Sequence, residues 1–186
     1  MSVFSNIRAT SAGMLMLAGW AVFAIPAVAA GPAESDRVSQ LLADAKVYAF
    51  QLRSDAEQLE SFSRSNASWE SHAEVITHMR EDINKMGSLL TKMQENRAAA
   101  APWQQTAIDR VNPVAKELAT NTTAAIDRLA RNPKRLNTGD YQNYLEAIGD
   151  AAANLAATIT DFVDYGKTRQ RLERLASKLE LPNGNL

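Results

Sequence analysis

The sequence predicts an all-α protein, an antiparallel up-down-up-down four-helix bundle with an overhanging C-terminal helix. Two stretches place core-type side chains at an unbroken spacing of three and four residues, which keeps them on one edge of a helix. The first stretch contains Val38, Leu41, Ala45, Tyr48, Leu52, Asp55, Leu59 and Phe62. The second contains Trp69, His72, Ile76, Met79, Ile83, Met86, Leu90 and Met93. Short polar links between such segments favour antiparallel neighbours.

The first two helices are predicted at 35–63 and 69–93. The polar stretch Ser65-Asn66-Ala67-Ser68 separates them. A break this short leaves room only for a tight turn between antiparallel helices.

The third helix is predicted to begin at Pro102, because proline suits the first position of a helix. Asn132 and Pro133 mark its end. Inside it, Pro113 removes a backbone hydrogen bond and crowds the preceding turn. This residue therefore predicts either a kink or a restart of the helix with Asn112 as its N-cap.

The fourth helix follows a polar loop at 133–139 and continues from Tyr141 to Leu179. Its apolar spacing shifts phase after Gly166. If the helix is continuous it reaches about 60 Å, whereas the other three reach about 45 Å. The last helix is therefore expected to project beyond the bundle by roughly ten to fourteen residues.

The start of the chain predicts a secretory signal peptide at 1–29. An apolar run at 14–25 is followed by small residues, so cleavage after Ala29 and cleavage after Ala30 fit equally well. The run is short for a membrane span, which needs roughly 20 residues; an uncleaved anchor is the rival interpretation. We therefore expect an exported protein, periplasmic or extracellular, with a bundle domain at 30–186 and no membrane span after cleavage.

Composition and the absence of certain motifs argue against several classes of function. The chain has no cysteine, which excludes disulfides, thiolate metal sites and cysteine nucleophiles. Its 20 basic and 21 acidic residues nearly cancel, and nucleic-acid binding, which needs a basic footprint, is not expected. No glycine-rich phosphate loop, nucleophilic triad or Glu-x-x-His pair occurs. An enzyme is therefore not expected.

Asp55 and His72 are the polar members of the two apolar stripes. Counted outward from the turn, Asp55 lies about four residues deeper than His72, an offset of about 6 Å, which is long for a direct bond from the short aspartate side chain. A shift of the turn by a residue or two brings a hydrogen bond within reach. Such a pair either orients His72 for binding or proton transfer, or fixes the register of the first two helices. The structural role is favoured, because pairing is the usual remedy for a buried charge.

His72 also begins a column of methionines at seven-residue spacing, Met79, Met86 and Met93. Histidine and methionine suit soft metals such as copper, and together they can hold haem. Neighbours in this column lie about 10 Å apart, so further ligands would have to come from other helices. The main expectation is no cofactor, with the methionines filling the core. Copper or haem bound by His72 and Met79 is the alternative.

One short motif resembles a known family. Leu90-Thr91-Lys92-Met93-Gln94 matches Leu-Thr-x-x-Gln, and this motif is similar to that of the small periplasmic chaperones of the envelope-stress (Spy/CpxP) type. The resemblance covers five residues, and the second copy that the family carries is missing here. It implies an ATP-independent chaperone that binds unfolded clients.

The segment 167–180 is predicted to be a basic amphipathic end of the last helix. Its basic residues are Lys167, Arg169, Arg171, Arg174 and Lys178. Such a helix either lies on an anionic membrane surface or docks on a partner, or covers the open end of the bundle. Trp69, at the turn between the first two helices, marks a second candidate surface.

Together these features predict an exported, non-enzymatic protein with a binding or scaffolding role in the cell envelope. Its expected partner is another protein or the envelope surface. A copper- or haem-binding bundle and an ATP-independent periplasmic chaperone are the two alternatives.

Overall fold

Four α-helices make up nearly all of the part of the chain that the structure, a computed structural model, describes, namely residues 32–65, 67–136 and 139–180. The helices are α1 (Pro32–Arg64), α2 (Trp69–Glu95), α3 (Pro102–Arg131) and α4 (Gly139–Lys178). A short 3-10 helix at Arg97–Ala99 joins α2 to α3. No strand occurs in the described ranges. The predicted signal peptide at 1–29 lies outside them.

The four helices pack as a ring of neighbours around one core. α1 packs against α2 and α4, and α3 packs against the same two helices, whereas α1 and α3 barely touch. The predicted all-α four-helix bundle is thus confirmed. The alternating direction of the helices and the overhang of α4 stay predictions.

Each helix buries a face that is wider than the single stripe predicted from the spacing. In α1, Leu42, Ala49 and Ala56 are buried in addition to most of the predicted stripe. In α2, Val75 and Asp82 are buried outside it. A helix in this bundle faces two neighbours, so its buried face is broader than the narrow seam of a two-stranded coiled coil.

α3 continues without interruption through Pro113, so the predicted restart with Asn112 as an N-cap is wrong. The buried positions keep one phase on both sides of the proline, with Val111 before it and Leu118 after it in the core. Packing therefore holds the helix together at the point where proline removes a backbone N–H. The proline ring itself is exposed.

Gly166 is the point at which α4 meets the start of α3. The Trp103 indole lies directly over it, and a Cβ at this position would come within 2.7 Å of Trp103 Cη2. Tyr165 packs edge-on against the same indole, with ring centroids 5.5 Å apart. A larger residue here would push the indole aside, so glycine lets α4 and the start of α3 pack closely at this point.

Candidate functional site

An apolar groove of about 580 Å³ lies between α2 and α3. Its floor is built by side chains of all four helices, which are Leu52, Met86, Leu118 and Leu155. Each of these side chains is buried, so the groove reaches the centre of the bundle. Volumes of this order are typical of sites for small molecules.

Small residues keep this groove open. Gly87 of α2 and Ala115 and Ala119 of α3 line it, and a Cβ added to Gly87 would meet no atom within 4 Å. α2 and α3 also pack less closely than the other neighbouring pairs of helices. Larger side chains at these positions would interlock the two helices; the small ones leave the space accessible to another molecule.

Polar side chains gather at one end of the groove. The Asn112 amide donates across this end to the Gln94 side-chain oxygen at a distance of 3.4 Å. Glu95 and Lys116 also line it. Neither of these two forms an ion pair with another residue of the described part of the chain. The groove therefore combines an apolar floor with a small set of polar groups at one end.

A second groove, of about 610 Å³, lies between α1 and α4 and has a charged lining. Arg53 pairs with Glu57 at 2.8 Å, and Arg64 pairs with Glu60 one turn away on the same helix. These exposed pairs contribute little to stability, and Glu146 and Asp150 add two further carboxylates to the lining. This groove offers a ligand less apolar surface than the α2–α3 groove.

His72 is buried near the link between α1 and α2, and its partner is Tyr141 rather than Asp55. His72 Nδ1 lies 3.1 Å from the Tyr141 hydroxyl oxygen. The imidazole packs against the rings of Phe62 and Tyr141, with centroid distances of 5.5 and 5.6 Å. Burial lowers the pKa of His72 and raises the pKa of Tyr141. The predicted hydrogen bond between Asp55 and His72 is wrong, because each residue has a different partner.

Asp55 belongs instead to a polar cluster between α1 and α2, defined by Gln51, Asp55, His78, Asp82 and Lys85. Asp55 Oδ2 lies 2.8 Å from His78 Nδ1, and the Gln51 amide donates to Asp55 Oδ1 at 3.0 Å. Lys85 donates to Asp82 Oδ1 at 2.9 Å. The hydrogen bond with Asp55 raises the pKa of His78. His78 and Asp82 were not predicted as site residues, because the spacing was interpreted as a single apolar stripe on each helix and both residues lie outside it.

Met79, the second residue of the copper or haem alternative, is fully buried in the core. It lies about 10 Å from His72 along α2, so the two side chains could not share one metal without ligands from elsewhere. His72 would also have to bind through Nε2 or lose its hydrogen bond to Tyr141. Copper or haem at these residues stays a prediction.

The two predicted surface sites contain exposed side chains. Trp69 is 45% exposed at the start of α2, where Ser68 caps the helix by accepting a hydrogen bond from the Ser71 backbone. At the end of α4, the leucines at 172, 175 and 179 are 43%, 45% and 63% exposed. The basic residues around them are Lys167, Arg171, Arg174 and Lys178, which are exposed, and Arg169, which is partly buried. Binding by either surface stays a prediction.

No protein-family model matches the chain, and no curated protein or solved structure resembles it significantly. Within the described ranges, no helix is both long and apolar enough to cross a membrane.

Proposed function

We propose that this chain is an exported, non-enzymatic binding protein of the cell envelope, and that its α2–α3 groove takes a small amphipathic molecule. The observation that supports ligand binding is the groove itself, with its apolar floor, its walls of Gly87, Ala115 and Ala119, and its polar end. Apolar pockets with a few polar groups are the usual form of small-molecule sites. Burial would hold the apolar part of the ligand, and hydrogen bonds would hold its polar part.

The polar end of the groove favours a neutral or zwitterionic head group. Glu95 and Lys116 carry opposite charges, and Gln94 and Asn112 offer amide donors and acceptors. A head group with a strong net charge would meet repulsion as well as attraction. We therefore expect a ligand with one acyl chain or aromatic body and a hydroxyl, amide or zwitterionic head.

Gly87→Leu should weaken binding of N-phenylnaphthylamine, a neutral apolar probe, by at least about tenfold, or about 1.4 kcal/mol. The new side chain enters open space and occupies part of the groove. Folding should be retained, because leucine is a better helix former than glycine by up to about 1 kcal/mol. The measurement is a fluorescence titration of the chain beginning at Ala30. Competition by lysophosphatidylcholine and by a fatty acid tests the expected preference for a zwitterionic head.

Gly149→Leu is the matched control for this substitution. Gly149 is a helical glycine of α4 at which an added Cβ also meets nothing within 4 Å, but it lines the charged α1–α4 groove. This variant should bind the probe with unchanged affinity. Full affinity in Gly87→Leu would contradict the proposal, and a loss confined to Gly149→Leu would assign the ligand to the other groove.

A chaperone is the second candidate function, and one observation favours it. Leu90, Thr91 and Gln94 of the Leu-Thr-x-x-Gln motif line the α2–α3 groove. In this case the groove would take apolar side chains of an unfolded client. The chain would then suppress client aggregation without ATP, Gly87→Leu would remove that effect, and small amphipathic molecules would compete poorly.

The basic end of α4 is proposed to contact an anionic membrane surface. Leu172, Leu175 and Leu179 are about half exposed on it, so burying the rest of each side chain contributes about 1 kcal/mol, roughly half of the value for a fully exposed leucine. Neighbouring lysines and arginines add about 1 kcal/mol each at such a surface.

Replacing these three leucines together with glutamine should therefore lower co-sedimentation with phosphatidylglycerol vesicles by at least about tenfold. Val47→Gln combined with Phe50→Gln is the control, because both side chains are exposed apolar residues of α1. Equal sedimentation of the leucine variant and the unchanged chain would count against the contact. Equal binding to phosphatidylcholine vesicles would show that charge has no part in it.

A further inference from the structure

We propose that the polar cluster between α1 and α2 is a binding site for a divalent transition-metal ion such as zinc. Asp55, His78 and Asp82 each present one ligand atom, and the three atoms lie within 4.8 Å of one another. In the part of the chain that the structure describes, no other trio of histidine, aspartate and glutamate side chains comes this close.

The chemistry of these three ligands suits zinc. Zinc binds imidazole nitrogen and carboxylate oxygen at about 2.0–2.2 Å, usually with tetrahedral geometry. Ligand atoms around such an ion lie about 3.4 Å apart, so a shift of at most about 1.4 Å closes the widest gap. Magnesium and calcium prefer sets made of oxygen alone, and the imidazole therefore favours a transition metal.

Two packed helices hold the ligands in place. His78 and Asp82 lie one turn apart on α2 and share a face of it, and Asp55 reaches them from α1. The two aspartate side chains are only 7% and 4% exposed, whereas the His78 side chain is 51% exposed. Burial restricts the two carboxylates to the interior of the interface, and the exposed imidazole gives an ion access from solvent.

Lys85 competes with a cation for Asp82. Its ammonium group bonds to Asp82 Oδ1 at 2.9 Å and lies 5.4 Å from the centre of the Tyr48 ring. Lys85 can balance one of the two aspartate charges, whereas a divalent ion balances both. Because the lysine side chain is half exposed, it can turn outward when an ion binds. Removing this positive charge should therefore tighten metal binding.

The test is isothermal titration of zinc into the untagged chain beginning at Ala30, near neutral pH. We expect one zinc ion per chain. His78→Ala should weaken binding by at least about tenfold, since it removes the nitrogen ligand. Lys85→Met should strengthen binding by roughly tenfold, since it removes one nearby positive charge. Both substituted side chains are half exposed, so neither substitution opens the core. Lys85→Met leaves the buried Asp82 without its ion pair, and circular dichroism checks that both variants fold.

Glu74→Gln is the control, because Glu74 is an exposed acid one turn before His78 on α2. It should leave zinc affinity unchanged. The proposal is overturned if the unchanged chain binds no zinc, if zinc affinity survives His78→Ala, or if Glu74→Gln loses zinc as strongly as His78→Ala. None of these outcomes bears on the α2–α3 groove, because the groove and the polar cluster share no residue.

Discussion

Replacing His72 with alanine should lower the free energy of unfolding by about 4 kcal/mol. The side chain is 1% exposed and packs against Phe62 and Tyr141, so truncation leaves a cavity, which costs about 2–5 kcal/mol for a large buried side chain. The buried Tyr141 hydroxyl also loses its partner, which adds about 1–3 kcal/mol. Domains of this kind have a total stability of about 5–15 kcal/mol. Urea denaturation therefore measures the loss readily.

His72→Phe and Tyr141→Phe separate the hydrogen bond from the packing. Each variant keeps an aromatic ring but leaves the polar group of the other residue unpaired, and each should lower stability by about 1–2 kcal/mol. His72→Phe also loses the hydrogen bond to the Phe62 backbone. The double variant removes both members of the His72–Tyr141 hydrogen bond, so it should be less destabilised than the sum of the two single losses. A double variant as unstable as the two single losses added together would contradict a stabilising hydrogen bond between these residues.

His72→Phe also isolates the contribution of His72 to the pH dependence of stability. Burial lowers the pKa of His72 below its ordinary value of 6.5, and a hydrogen bond to the Phe62 backbone only partly opposes this. At acidic pH the unfolded chain binds a proton that the folded chain rejects, so stability falls. The contribution is fully present above pH 6.5 and is lost as the pH falls through the lower pKa of the folded state. His72→Phe should lack this loss. His78, whose pKa is raised by its hydrogen bond with Asp55, titrates in both proteins and cancels in the comparison.

The four helices could be predicted because their signals are local. The apolar spacing within each segment, Pro102 at the start of α3 and Asn132 just after its end all act over a few residues. These signals do not depend on which helix faces which. The continuity of α3 through Pro113 was the exception, since packing on both sides of the proline overrode a local breaker.

The partners of Asp55 and His72 could not be predicted in this way, because they depend on how the helices face one another. Depth from the turn favours His78 over His72 as the partner of Asp55, with an offset of about 3 Å rather than about 6 Å. The assignment of one stripe to each helix nevertheless placed His78 outside the interface. Tyr141, the partner of His72, comes from α4, and no spacing within α2 could indicate it.

The α2–α3 groove could not be predicted from the sequence either, because it arises where small residues leave space between two helices. Gly87 and Ala115 are distant in the sequence and look, one at a time, like ordinary small residues that let helices approach closely. They form a groove only because they line the same gap between α2 and α3. The one signal available was the motif that begins at Leu90, three of whose five residues line this groove.

Replacing Pro113 with alanine should raise the free energy of unfolding by up to about 3 kcal/mol, the amount that proline costs within a helix. The proline ring is exposed, so the substitution loses no core contact. It restores a backbone N–H that can donate to the carbonyl oxygen of Asp109 one turn earlier. Urea denaturation measures the gain. Gly149→Ala is the control, since it should add up to about 1 kcal/mol through helix propensity alone.

Pro113→Ala also tests whether Pro113 lowers the stability of α3 while it keeps the groove open. Proline commonly bends a helix, and Pro113 follows Asn112 at the polar end of the groove. If the bend holds α3 away from α2, Pro113→Ala should bind N-phenylnaphthylamine several-fold more weakly, whereas Gly149→Ala should bind it as before. A stabilised Pro113→Ala chain with full affinity would mean that the small residues alone keep the groove open. A destabilised chain would mean that the neighbouring helices have adapted to the proline. Binding sites often reduce the stability of the protein that contains them, so a gain in stability together with a loss of binding would tie this residue to the function of the groove.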